Sequence, residues 1–121
     1  MTDPKANELI KALIADLDKE FDPAKTAEAL KAIRPFALKE EDPLVTKVLR
    51  LAYQHLENND SFEIQIEEEE EDENGEMILV EVDERTDAEN VQHMISLMLN
   101  NQNEYNRIDL QSYRDLLYEE L

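Results

Sequence analysis

Ser61-Phe62-Glu63-Ile64-Gln65-Ile66-Glu67 alternates polar and apolar side chains without a break. A period of two is that of a half-buried strand, so the helical pattern that precedes this stretch stops here. Met77-Ile78-Leu79-Val80-Glu81-Val82-Asp83 repeats the signal, with Ile78, Val80 and Val82 on one face. The link between the two runs is short, which predicts an antiparallel hairpin.

Two registers compete for that hairpin. A two-residue turn at Asn74-Gly75 is the strongest local signal, but it sets Glu67 and Glu69 opposite Val82 and Val80. The other register pairs Phe62 with Val82, Ile64 with Val80 and Ile66 with Ile78. Burial of several apolar side chains, at about 1.5–3 kcal/mol each, outweighs one turn preference. The second register is therefore expected, and it leaves Glu68 to Glu76 as a protruding acidic loop. A lone hairpin is marginal, so its apolar face is expected against helices.

Upstream, three Asp-Pro pairs stand at Asp3-Pro4, Asp22-Pro23 and Asp42-Pro43. Asp at an N-cap accepts a free backbone N–H, and Pro at the first helical position gives up a donor that lacks a partner there. Each pair opens a helix in this reading. The first runs to about Glu20 with Leu9, Ile10, Leu13, Ile14 and Leu17 at helical spacing. In the second, Ala27, Leu30 and Ile33 face inward and Pro35 ends the helix. The third carries Leu44, Val45, Val48, Leu49, Ala52 and Leu56 before Asn58-Asn59-Asp60 stops it. Downstream, Thr86-Asp87-Ala88-Glu89 is a capping box. Behind it Val91, Met94, Ile95, Met98 and Leu99 form an apolar stripe. A last helix is expected from about Asp109 to Glu120, with Leu110, Tyr113, Leu116, Leu117 and Leu121 inward. The fold class that follows is mostly α, of the α+β type. About five helices pack with one antiparallel hairpin in the order ααα-ββ-αα.

The length of 121 residues suits one domain over 1–121. Within it, residues 1–57 hold nine Lys/Arg and eleven Asp/Glu, a net of −2. Residues 58–121 hold three Arg, no Lys and twenty Asp/Glu, a net of −17. The chain as a whole carries −19. An acidic half of that strength repels phosphates and anionic lipid, which argues against nucleic-acid and membrane partners. No run approaches the length of a membrane span. Lys11 and Asp16 interrupt the apolar residues of Met1 to Leu17, so that segment does not read as a secretory signal. With no cysteine in the chain, disulfides, thiolate metal sites and cysteine nucleophiles are excluded, and a cytoplasmic setting is the expectation.

The tract Glu67-Glu68-Glu69-Glu70-Glu71-Asp72-Glu73 places seven acidic residues in a row. Read from Glu70, it partly matches a calcium loop. Glu70, Asp72 and Asn74 fall at positions 1, 3 and 5, Gly75 at 6 and Glu81 at 12. Three faults weaken the match: Glu in place of Asp at the first position, Ile78 at the ninth, and strand-like flanks. The two histidines, His55 and His93, have no second His one helical turn away, so neither forms a zinc-type pair. The single glycine, Gly75, excludes glycine-rich phosphate loops. Ser61, Ser96 and Ser112 lie in no nucleophile-elbow sequence.

No catalytic motif emerges, and the expected function is a small, acidic, non-catalytic protein-binding module that engages a basic protein surface. Glu67, Glu68, Glu69, Glu71, Glu73 and the outward Tyr118 are its candidate contact residues. Mimicry of nucleic acid toward a basic protein is one concrete version. Weak calcium-type binding through Glu70, Asp72, Asn74 and Glu81 is the alternative, and an enzymatic or small-ligand role has no supporting motif. No cofactor beyond such calcium is expected. The lysines all lie at or before Lys47, so self-association of the near-neutral half with the acidic half of a second copy is a further expectation.

Overall fold

The computed structural model describes residues 1–71, 73–80 and 84–121, with the backbone alone over 68–71 and 77–80. Five helices carry the fold: α1 (Pro4–Lys19), α2 (Pro23–Lys39), α3 (Pro43–Asn59), α4 (Asp87–Met98) and α5 (Glu104–Glu119). All three Asp-Pro starts are realised. Asp3, Asp22 and Asp42 accept from the backbone N–H of Lys5, Lys25 and Val45. The capping box is complete as well: Glu89 N–H donates to Thr86 Oγ1 at 3.2 Å, and Thr86 N–H donates to Glu89 Oε1 at 3.1 Å.

The helices meet in a closed circuit. α2 packs along α3, α3 along α5, α5 against α4, α4 against α1, and α1 back against α2. The apolar stripes read from the sequence line its inside, except that Leu9 of the first stripe is 38% exposed. Ile10, Leu30, Ile33, Val48, Leu49, Leu56, Met94, Ile95, Met98 and Leu110 are fully buried. Each such side chain contributes about 1.5–3 kcal/mol relative to exposure, and no single helix could bury its stripe alone. The Met1 α-amine enters the same core and donates to the carbonyls of Met98 and Leu99 at 2.6 and 3.0 Å. Those are carbonyls that the end of α4 leaves without a helical partner. Among the described residues no helix is long and apolar enough to cross a membrane.

The mixed α+β class is overturned, because the packed fold is all-helical and the expected hairpin is not present among the described residues. Ser61–Glu67 forms no strand. The only pairing among the described residues is a four-residue ribbon, β1 (Glu68–Glu71) with β2 (Met77–Val80). Its register is Glu68↔Val80, Glu69↔Leu79, Glu70↔Ile78 and Glu71↔Met77. None of the expected pairs, Phe62–Val82, Ile64–Val80 and Ile66–Ile78, matches that register. Val82 and the end of the expected second strand lie outside the described residues. The ribbon adds no layer to the core, and no helix makes an extended contact with it among the described residues.

The reason lies in what covers the alternating side chains. Phe62, Ile64 and Ile66 are 0, 4 and 2% exposed, so the period of two reports burial correctly. Among the described residues they join the core that the helices line, and the His55 ring meets Phe62 edge-on at 5.8 Å. The backbone of this extended segment finds side-chain partners in place of a ladder. Phe62 N–H donates to Asp87 Oδ2 at 3.2 Å, and Phe62 C=O accepts from Asn90 Nδ2 at 3.3 Å. Buried polar groups need partners but do not specify a neighbouring strand. Once helices cover the apolar face, the register argument loses its premise.

Three helix details also differ. Pro35 lies inside α2 and does not end it. The turns after it stay helical because Ala37 is fully buried and the α2–α3 link is closed by backbone bonds. α5 begins five residues earlier than expected, since Asn103 Oδ1 caps the helix through Asn106 N–H at 3.0 Å. Leu121 is 75% exposed and takes no part in the core.

Candidate functional site

Glu67 is exposed just before β1, and Glu73, Asn74, Gly75 and Glu76 are exposed in the turn that joins the strands. Gly75 has φ 82°, a conformation that only glycine takes without strain. Glu68, Glu69, Glu70 and Glu71 follow one another along the β1 backbone. Asp72 and Glu81 lie outside the described residues, so the calcium-type set of Glu70, Asp72, Asn74 and Glu81 is not assembled by them. Among the described residues, no group of three or more His, Cys, Asp or Glu side chains is arranged to hold a metal ion.

At the root of the ribbon the extended segment and the start of α4 enclose a polar cleft of about 360 Å³. Glu63, Glu84 and Asp87 supply carboxylates, Arg85 a cation, and Gln65 and Asn90 amides. Local chemistry fixes its shape. The Thr86 capping box starts α4, which places Asp87 and Asn90 one turn apart on the side facing the segment. Gln65 Oε1 accepts from Arg85 N–H at 2.7 Å and ties the two walls together. Asn90 is only 2% exposed. Its Nδ2 is used on Phe62, but its Oδ1 is buried without a hydrogen-bond partner among the described residues. An unsatisfied buried acceptor costs about 1–3 kcal/mol.

The ring-bearing residues are placed largely for packing. Tyr113 is fully buried, and its hydroxyl meets His93 Nδ1 at 2.6 Å. His55 lies against Phe62, and burial holds its pKa below the ordinary 6.5. Tyr118 is 39% exposed, and Lys47 Nζ stands 4.7 Å from the centre of its ring. It lies on α5, and the structure does not bring it into the cleft.

Sequence reasoning missed Glu63, Glu84, Asp87 and Asn90 as a group. The signal available was the capping box, which fixes where α4 starts but not which segment lies across it. The chain matches no known protein-family model, no curated protein and no solved structure.

Proposed function

We propose that this chain is a non-catalytic protein-binding module whose acidic half engages a basic protein surface, with a Lys or Arg side chain of the partner seated in the cleft. The observation that carries this reading is the polar cleft in which Glu63, Glu84 and Asp87 border one space. An ammonium or guanidinium brings donors only, and clustered carboxylates are the acceptors it needs. The tract Glu67–Glu73 adjoins the cleft in sequence and supplies long-range attraction, which acts mainly on the association rate. The proposal takes residues 1–121 as one domain in a cytosolic setting, which accords with a chain that has no cysteine.

The test begins with capture of partners at low salt and elution along a salt gradient, and continues with kinetics on the purified pair. Exchange of the tract carboxylates for Gln should slow association with little change in dissociation. Glu63→Gln with Glu84→Gln should speed dissociation instead. Binding that changes by less than about three-fold from low salt to several times physiological strength would rule this reading out, since screening must weaken it.

A further inference from the structure

A second surface carries the opposite charge. Arg34 on α2 and Lys47 and Arg50 on α3 line a pocket of about 360 Å³, with Leu38 and Thr46 between them. Leu38 is 53% exposed there. In a chain of net −19, three cations that share one pocket are a local reversal of sign. None of the three has an ion pair among the described residues, whereas Lys31, Arg107 and Arg114 all do. Asp42 borders the pocket, but its carboxylate is already taken by Arg107 and Asn101. Glu41 is the other acidic neighbour, and it is exposed at the rim.

We propose that this basic pocket receives the acidic tract Glu67–Glu73 of a second copy of the chain. Charge complementarity selects the occupant: a run of seven acidic residues and a cluster of three cations without an ion pair among the described residues belong to the same sequence. Lys47 also stands over the Tyr118 ring, and Arg34 Nε donates to Thr46 C=O at 3.4 Å. None of the described tract residues lines the pocket of its own copy. A twofold pair with each tract in the other's pocket closes without forming a filament.

Salt dependence distinguishes this association from others. Two molecules of −19 repel at low ionic strength, where the Debye length is long. At about 8 Å, its physiological value, the overall repulsion is screened while charges in contact still attract. Self-association therefore passes through a maximum as salt rises. A contact driven by Leu38 alone would strengthen steadily. This inference is independent of any basic partner, and the test uses the purified chain alone. A partner on the tract would compete with the second copy.

Sedimentation velocity of the full chain over a range of concentration and salt reads the outcome directly. The expected result is a monomer–dimer equilibrium with its maximum at intermediate salt. Arg34→Glu with Lys47→Glu and Arg50→Glu should weaken it by about ten-fold or more, as should exchange of the tract carboxylates for Gln. Lys47→Gln with Arg50→Gln is the milder pair if the triple variant loses its helical circular dichroism. Each variant should remain monomeric alone, while the tract variant mixed with a chain carrying the intact tract should regain a dimer through its own intact pocket. A monomer under every condition would overturn the proposal. So would a dimer that neither set of variants affects, or a charge reversal that changes thermal stability and leaves the mass unchanged.

Discussion

The guanidinium of Arg107 on α5 forks onto the carboxylate of Asp42, 65 positions earlier, with Nη1 2.9 Å from Oδ2 and Nη2 3.3 Å from Oδ1. The same carboxylate caps α3 through Val45 N–H and accepts from Asn101 Nδ2 at 2.8 Å. One side chain thus starts α3, holds the α4–α5 link and anchors α5. Arg107 Nη1 also donates to Asn101 C=O at 3.0 Å, which closes the group on itself.

The acid limb of stability should report on that group. Burial pushes the Asp42 carboxyl up, but hydrogen bonds from Arg107, Val45 N–H and Asn101 outweigh it and hold the pKa below the ordinary 3.8. A depressed folded-state pKa means that the unfolded chain binds more protons near that pH. The contribution is present above 3.8 and is lost as pH falls through the folded value. Asp42→Asn keeps a cap acceptor and removes the charge. Because Arg107 is 34% exposed and partly screened, the expected loss at neutral pH is about 1–3 kcal/mol. Urea midpoints measured along a pH series should show the gap to the unaltered chain closing at acid pH. A constant gap would contradict the charge pairing.

Phe62 should anchor the extended segment. It is fully buried, and its backbone is held at both ends by α4 side chains. Phe62→Ala is expected to cost about 3–5 kcal/mol, from lost transfer energy and the cavity left behind. Phe62→Leu should cost clearly less. Chemical denaturation gives both values, and equal small losses would mean that the segment is not part of the cooperative core.

Glu41 sits at φ 54° in the three-residue link between α2 and α3. Asp42 N–H donates to Ala37 C=O and Glu41 N–H to Leu38 C=O, the paired bonds of a Schellman closure. Its left-handed residue is normally glycine, and any side chain there carries a steric penalty. Glu41→Gly is therefore expected to raise stability by up to about 1 kcal/mol, net of the added freedom of the unfolded chain. Glu41→Ala should bring no such gain. Thermal unfolding of the two variants side by side decides the point.

The legible part of the fold is the part written over short range. Asp3, Asp22, Asp42 and Thr86 each find a cap partner two or three residues away. A reading of neighbours therefore suffices for these starts. The apolar stripes of α1, α3 and α4 were equally plain, because helical spacing alone sets which side chains share a face. Pro35 misled for the opposite reason. Its local cost is real, about 3 kcal/mol in a helix interior, but the turns beyond it are held by burial of Ala37 and by the Schellman bonds.

By itself, then, the sequence determined the starts of α1 to α4, most of the buried faces, the alternation of Phe62, Ile64 and Ile66, and the division of charge between the two halves. The tertiary structure alone decided what covers each face. It placed Phe62, Ile64 and Ile66 in the helix-lined core, moved the strand pairing to Glu68–Glu71 and Met77–Val80, and brought Arg107 to Asp42. It also set Glu63, Glu84 and Asp87 around one cleft, and gathered Arg34, Lys47 and Arg50 around one pocket. Burial is non-directional: the pattern of a segment states that a face must be covered, and only the meeting of distant segments selects the cover.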